Sequence, residues 1–450
     1  MFKRLLIANR GEIARRVIRA AHVMGIEAVA VFSEADRDAP FVREADQAVC
    51  LGPAQASRSY LDADAVIQAA IQSESHAIHP GYGFLAENAV FAERVLEQRI
   101  AWIGPPPRVI RLMGEKASAR AAANAAGLPV IPGSLGLVAS VAEALEVAEA
   151  IGWPVLLKAD AGGGGRGMRR AEDAASLERA FHSASAEARA AFGSGALYVE
   201  KLLGSARHIE FQILADKYGK AIHLFERECS IQRRHQKLLE EAPSVVLDDA
   251  RRNAMGRKVA DAVAKMGYVG AGTVEFLFER ESRELYFIEM NTRLQVEHPV
   301  TEMITGVDLV VAQIRIAAGE PLWLRQEDVR REGHALELRL CAEDPEDEFR
   351  PTPGTITTFS VPVGPLGAGR VRVDSAVEAG SKIPPYYDSL VAKLIAWGPD
   401  RGSAIETAKD ALSKTQIQGV ATTAPLHRAL LDAEPFRAGD LQIGVIPGWT

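Results

Sequence analysis

Near residue 207 the chain changes its repeat. Upstream, RLLIA (4–8) predicts a buried strand, and Asn9-Arg10-Gly11 turns into a helix whose Ile13, Val17, Ala20, Ala21 and Met24 recur at helical spacing. Gly25 ends that helix and Glu27 to Phe32 form the next strand, so the unit is strand–helix–strand and its strands run parallel. Downstream, strands come as hairpins: HIEFQILA (208–215) and AIHLFER (221–227) flank Asp216-Lys217-Tyr218-Gly219, and TVEFLFE (273–279) and LYFIEM (285–290) flank another charged turn. A parallel texture followed by an antiparallel one, over 450 residues, predicts two or three domains of α/β and α+β type rather than one core.

Between these regions lies a smaller alternating unit. Strands at Ala77 to His79 and Ile100 to Ile103 extend the first sheet as far as the prolines at 105–107, and an alanine-rich helical connector covers 114–127. Then VLLKA (155–159) is a strand, GGGG (162–165) a loop, MRRA (168–171) a return strand, 173–191 a helix and ALYVEKLL (196–203) a strand. Two strands joined through glycines predict a mobile flap. The remainder mixes helices (about 248–266, 301–318 and 402–414) with strands around 335–342, 355–359 and 390–397, and a proline- and glycine-rich loop at 361–369. The expected organisation is an N-terminal parallel-sheet domain (1–113), a helical linker (114–130), a lid (131–203) and a C-terminal domain (204–450).

Charge narrows the function classes. The net charge is −7 and the sequence pI about 5.9, which opposes broad attraction to nucleic acid or anionic lipid, so an anionic ligand needs a local site. Cys50, Cys229 and Cys341 are far apart and odd in number, which suits a reducing cytoplasm. MFKRLLIANRGE has too short an apolar core for a signal segment, and no later run reaches spanning length, so a cytoplasmic, non-membrane protein is expected.

Several constellations carry chemistry. In Lys158-Ala-Asp-Ala-Gly-Gly-Gly-Gly-Arg166 the glycines let backbone N–H groups approach phosphate oxygens, with cations on both sides; the other reading is a flexible surface loop. Glu275 and Glu289 lie one on each strand of a predicted hairpin, with Asn291 two residues on. Facing carboxylates repel, and a divalent cation, magnesium first or manganese, relieves this; the alternative is a solvated sheet face. Cys229-Ser-Ile-Gln-Arg-Arg-His-Gln-Lys237 is rich in donors and reads as a basic surface loop or a nucleic-acid contact, the second disfavoured by the acidic chain. His208 and His235 lack partners at metal-ligand spacing, which favours hydrogen bonding over zinc. Arg339 sits inside an alternating strand and needs a partner to be read. Finally, EMNTRLQVEH (289–298) alternates: taken as extended chain, Glu289, Asn291, Arg293, Gln295 and Glu297 share one face directly after a buried run.

The stretches IANRGEIA (7–14), HPGYGFLAEN (79–88), RLMGEK (111–116), GGGGRGM (162–168), ECSIQRRHQK (228–237), EMNTRLQVEHPVTEMITG (289–306) and PPYYDS (384–389) together resemble the biotin carboxylase family of ATP-grasp enzymes. The resemblance implies an ATP-grasp fold with an N-terminal parallel-sheet domain, a mobile glycine-rich lid and a C-terminal antiparallel-sheet domain. It implies that Lys116, Lys158, Leu202 and Leu277 contact the nucleotide, that Gly164 and Gly165 close over its phosphates, that Glu200, Lys201 and Leu203 line the adenine end, and that His208, Gln232 and His235 meet the ribose. Glu275, Glu289 and Asn291 would hold magnesium. Lys237, Arg293, Gln295 and Val296 would hold bicarbonate, Glu297 would deprotonate it, and Arg339 would stabilise the enolate of biotin. The implied reaction is ATP-dependent carboxylation of biotin through carboxyphosphate, as the first half-reaction of an acyl-CoA carboxylase, acetyl-CoA in the first place. The alternatives are a 2-oxo acid or pyruvate carboxylase, a non-biotin ATP-grasp ligase and a regulatory protein that binds nucleotide without turnover. No Met-Lys-Met occurs, so the expectation is a free-standing homodimer that works on a separate biotin carboxyl carrier protein and serves a carboxyltransferase. The final thirty residues match this pattern least.

Overall fold

The computed structural model describes residues 1–134, 136–159 and 168–449. Leu5, Leu6 and Ile7 are fully buried in β1 (Arg4–Ile7), the run apolar on both faces that a covered parallel strand needs. β2 (Glu27–Ser33), β3 (Gln47–Gly52), β4 (Ala77–His79) and β5 (Ala101–Trp102) complete a parallel sheet in the order β3-β2-β1-β4-β5. The edge strand β3 is half-exposed and lacks the apolar run that revealed the others. Asn9 ties the loops after β1 and β4 together, its Nδ2 donating to the Pro80 and Tyr82 carbonyls at 2.8 and 2.7 Å.

A second sheet, in the order β7-β6-β8, is antiparallel and consists of β6 (Val155–Ala159), β7 (Met168–Ala171) and β8 (Leu197–Lys201). Val155, Leu157, Leu197 and Val199 pack under the helices Val141–Ile151 and Ala174–Phe192, which leaves Leu156, Lys158 and Glu200 on the opposite face. The glycine-rich flap, with Gly164 and Gly165, lies outside the described residues.

The third sheet has nine strands. β9 (Ala206–Ala215), β10 (Ala221–Arg233), β11 (Gln236–Ala242), β12 (Gly270–Glu279), β13 (Leu285–Asn291) and β14 (His334–Cys341) run in the order β13-β12-β9-β10-β11-β14. Leu390–Gly398, Gly369–Ser375 and Gly364–Leu366 continue it, all antiparallel. On one face Ile209, Phe211, Ile213, Val274, Phe276 and Phe278 bury against Val259, Ala262 and Val263 of the helix Asp249–Lys265. The opposite face is thereby free for polar groups.

Five expected elements differ. The connector is two helices, Pro107–Gly114 and Lys116–Ala125, divided at Glu115. The helix expected over 301–318 is also two, His298–Thr305 and Leu309–Ala317. Gly306 takes φ +71° between them and the Asp308 side chain caps the second. The loop at 361–369 contains the hairpin strand Gly364–Leu366, and the strand at 355–359 is two short pieces, Gly354–Thr355 and Thr358–Ser360. EMNTRLQVEH is not extended throughout: β13 stops at Asn291, residues 292–297 bend, and a helix starts at His298. Pro299 sits in the first turn of that helix, where its fixed φ favours helical entry. Among the described residues no helix is long and apolar enough to cross a membrane.

Phe276 is fully buried, edge-on to Phe211 at 5.9 Å and to Phe287 at 6.3 Å. Phe276→Ala is expected to cost about 3–5 kcal/mol, read from urea unfolding. A cost below about 1 kcal/mol would show that this core does not support the hairpin above it.

Candidate active site

Because Ile209, Phe211 and Ile213 of β9 point into the core, His208, Glu210 and Gln212 point the other way, and the same alternation on β12 turns Glu275 and Leu277 outward. Register then sets Glu210 opposite Glu275, and Glu275 opposite Glu289. Two irregularities matter. A bulge between the Glu275 and Phe276 pairings keeps Glu289 on the polar face while Phe287, two residues earlier, joins Phe276 in the core. A second, between the Ile231 and Gln232 pairings, turns Lys237 and Glu240, an odd and an even position of β11, toward the same group of side chains.

This face floors a cavity of about 1090 Å³. The three-stranded sheet contributes Lys158, Glu200 and Lys201 to its wall, followed by Leu202 and Leu203, and the helix Lys116–Ala125 contributes Lys116. The nine-stranded sheet adds His208, Gln232, Lys237, Glu275, Leu277, Glu289, Asn291 and Arg339, the turn between β10 and β11 adds His235, and the bend after β13 adds Arg293, Gln295 and Val296. Glu297 is the exception: it has no exposed surface and lies behind the cavity wall. Glu289 is exposed to the cavity, between the buried strand that precedes it and the buried Met290 and Asn291.

One ammonium group organises the floor. Lys237 Nζ donates to Glu210 Oε2 and Glu297 Oε1, both at 2.6 Å, and to Glu275 Oε1 at 3.0 Å. Burial disfavours its charge, but the three carboxylates hold its pKa well above the ordinary lysine value. The other oxygen of Glu297 accepts from Arg339 Nη2 at 3.1 Å. Burial also works against ionisation of Glu297, yet Lys237, Arg339 and Arg227 hold its carboxyl well below the ordinary range. Arg227 is itself fully buried and donates to Glu210 at 2.6 Å and to Gln212 and Thr301 at 2.8 and 2.9 Å.

Arg293 is held from two sides. Its Nε donates to Glu87 Oε2 at 2.8 Å and its Nη2 to Asn291 Oδ1 at 2.9 Å, while Glu87 also accepts from the backbone N–H of Thr292 at 3.0 Å. Glu87 lies in the segment before the helix Ala89–Glu97 of the N-terminal region, so the bend after β13 is fixed across two parts of the fold. Gln295 and Asn291 donate to Glu275 Oε1 at 3.0 and 2.8 Å. The Val296 carbonyl accepts from buried Lys393 at 2.8 Å. At the other end of the cavity Lys158 donates to Glu200 at 2.5 Å, and Gln232 bonds His208 at 2.8 Å. Lys201 donates to the Trp153 carbonyl at 2.6 Å.

The carboxylates suit a hard cation. Glu289 is pushed up from the ordinary range by its depth and by Glu275, an imbalance that a divalent ion held by Glu275, Glu289 and Asn291 would remove. The all-oxygen set fits magnesium or manganese. The fold also gives His208 the neighbours its sequence spacing lacked: its ring lies with Glu210 and Glu275, ligand atoms within 4.8 Å of one another. Sequence reasoning missed Glu87, Glu210, Arg227 and Glu240. Glu210 was readable as a polar position between Ile209 and Phe211; Glu87 and Glu240 carry no local signal.

The chain matches family models described as biotin carboxylase N-terminal domain over residues 1–110, carbamoyl-phosphate synthase L chain ATP-binding domain over 115–325, and biotin carboxylase C-terminal domain over 337–447. It is 53% identical to a biotin carboxylase of Nostoc over 99% of this chain and 98% of that protein. It is 51% identical to a biotin carboxylase of Haemophilus influenzae, over 98% of each, and 51% identical to one of the pyruvate carboxylase subunits of Methanothermobacter thermautotrophicus, over 98% and 89%. Among solved structures, the biotin carboxylase domain dimer of the Hydrogenobacter thermophilus 2-oxoglutarate carboxylase, in complex with MgADP, ADP and bicarbonate, superposes with TM-score 0.91 at 50% identity, covering 98% of this chain and 96% of that one.

Lys237→Met removes the cation shared by three buried carboxylates and is expected to cost about 3–5 kcal/mol at pH 8. Without it those carboxyls hold protons more tightly than in the unfolded chain, so stability falls as pH rises and the deficit in melting temperature is larger at pH 8 than at pH 5. An equal deficit at both values would contradict this reading.

Proposed function

The chain belongs to the biotin carboxylase family, and from that membership we propose that it carboxylates biotin on a separate carrier protein, as the first half-reaction of an acyl-CoA carboxylase, acetyl-CoA in the first place. It is an ATP-dependent ligase using bicarbonate, magnesium and biotin. The observation that carries the residue assignments is the position of Glu297, with one oxygen on Lys237 and the other on Arg339, between a cationic cradle for bicarbonate and the group assigned to biotin.

In this reading Lys116 and Lys158 contact the nucleotide, and Gly164 and Gly165 close over its phosphates. Glu200, Lys201, Leu202, Leu203 and Leu277 line the adenine end, and His208, Gln232 and His235 the ribose. Glu275, Glu289 and Asn291 hold magnesium, which when bound offsets phosphate charge. Lys237, Arg293, Gln295 and the backbone of Val296 hold bicarbonate. Glu297, kept ionised by its cations, takes the bicarbonate proton, and the freed oxygen attacks the γ-phosphorus as the bond to ADP breaks. Carboxyphosphate then splits into CO₂ and phosphate, the phosphate takes the ureido proton of biotin, and the enolate, facing Arg339, attacks CO₂. Water must be kept out, since carboxyphosphate is open to hydrolysis.

A ligase joining another carboxylate to an amine has no use for Lys237, Arg293, Glu297 and Arg339 as one set. A 2-oxo acid as final acceptor is retained as a second reading because two of the similar proteins are named for pyruvate and 2-oxoglutarate carboxylases. The proposed partners are a biotin carboxyl carrier protein, a carboxyltransferase and a second copy of this chain. A cytoplasmic setting accords with three free cysteines.

ATP hydrolysis is expected only with bicarbonate and magnesium, and free biotin is expected to raise the rate. Equal hydrolysis in bicarbonate-free buffer would refute the assignment. Arg339→Ala is expected to spare ATP binding and remove carboxybiotin formation. Glu87→Ala is expected to raise KM for bicarbonate about tenfold, through loss of the charge-assisted bonds that orient Arg293, with KM for ATP unchanged. An unchanged KM for bicarbonate would remove Glu87 from the site.

A further inference from the structure

The guanidinium of Arg339 is held on its buried side by a carboxyl with an unusual neighbour. Glu240 Oε1 accepts from Arg339 Nε at 2.7 Å, and Arg339 Nη2 is also ion-paired with Glu240. Directly across the β11–β14 ladder from Glu240 stands Glu337, and neither residue has any exposed surface. Side chains opposite one another in such a ladder have Cβ atoms roughly 4.5–5.5 Å apart. Glu240 Oε2 and both carboxyl oxygens of Glu337 are buried with no hydrogen-bond partner among the described residues.

Two ionised carboxylates in that arrangement would repel in a poorly solvated space, with one guanidinium to offset both. Lys393, the other nearby cation, is engaged by the Val296 carbonyl at 2.8 Å and by Glu12 at 3.1 Å. The groups facing Glu240 are Arg339 and Glu337 of β14, Glu297 of the bend and Lys237 of its own strand. Those facing Glu337 are Lys393, Glu240, Arg339 and Glu297.

We propose that Glu240 and Glu337 are a positioning pair for Arg339, Glu240 ionised and Glu337 carrying a proton, so that the pair presents one negative charge to the guanidinium and fixes the edge it turns to biotin. The chemistry of each environment supports the division. Burial pushes Glu240 up to about 7, with Arg339 pulling against it, whereas burial drives Glu337 well above the ordinary range against the pull of Lys393, with no ion pair of its own among the described residues. Glu240 is therefore ionised above about pH 7, beside a Glu337 whose proton burial favours.

The proposal rests on the assignment of Arg339 to biotin and is tested by its asymmetry. Glutamine replaces a protonated carboxyl well and an ionised one badly. At pH 8, Glu240→Gln is expected to lower kcat/KM for biotin about tenfold or more, Glu240→Asp to regain part of the loss, and Glu337→Gln to stay within about threefold of the parent, with KM for ATP unchanged in all three. Infrared spectroscopy of the parent protein at pH 8 is expected to show a protonated-carboxyl C=O stretch that Glu337→Gln removes. This reading survives even if a variant fails to fold, because absence of that band in the parent protein overturns the proposal. So does a Glu337→Gln defect larger than that of Glu240→Gln, or a Glu240→Gln enzyme as fast as the parent. Bicarbonate-independent ATP hydrolysis by the parent protein would instead refute the carboxylase reading, and it is measured without any variant.

Discussion

The Lys237 ammonium, bonded to Glu210, Glu275 and Glu297, is the interaction on which the rest of the site depends. Three carboxylates this close cannot all remain ionised unaided, and each has a different further neighbour. Glu210 leans on buried Arg227, Glu275 on His208, Gln295 and Asn291, and Glu297 on Arg339. Removing the shared cation would leave buried charge uncompensated, which is costlier than never having assembled it. The same constraint keeps the carboxyls apart in character. Glu275 and Glu297 are held ionised and Glu210 is pushed upward by burial and by Glu297, so one cluster contains groups of unlike basicity.

Such a cluster needs a rigid floor. The side chains that carry it alternate along β9 and β12 with Ile209, Phe211, Val274 and Phe276, which bury against the helix Asp249–Lys265, so moving one polar group means disturbing the core behind it. Strict alternation would nevertheless misplace two of the polar groups. The bulges at Glu275/Phe276 and Ile231/Gln232 correct this by letting core and site residues share a strand out of step. Glu87 does the equivalent for the bend after β13 by pinning Arg293 and Thr292 from the N-terminal region.

The buried face of Arg339 continues the same logic one strand further. There the negative partners outnumber the cation, and burial leaves a proton as the cheapest way to balance them. Charge balance around Lys237 is thus met by cations and around Glu337 by protonation, and Arg339 belongs to both groups.

The sequence by itself determined the parallel opening unit, the hairpins and the pairing of Glu275 with Glu289, because a buried strand and a short charged turn each leave a local period. It also carried, through a set of motifs from residue 7 to 389, the likeness that assigns ATP, magnesium, bicarbonate and biotin. In EMNTRLQVEH the series of polar residues was legible but its shape was not: the extended run ends at Asn291, Glu87 pins the bend that follows, and Glu297 goes behind the cavity rather than along its face. Only the tertiary structure decided that Lys237 meets Glu210, or Arg339 meets Glu240 and Glu297. These groups are 27, 99 and 42 residues apart in the chain, and no local period records which strands will lie side by side.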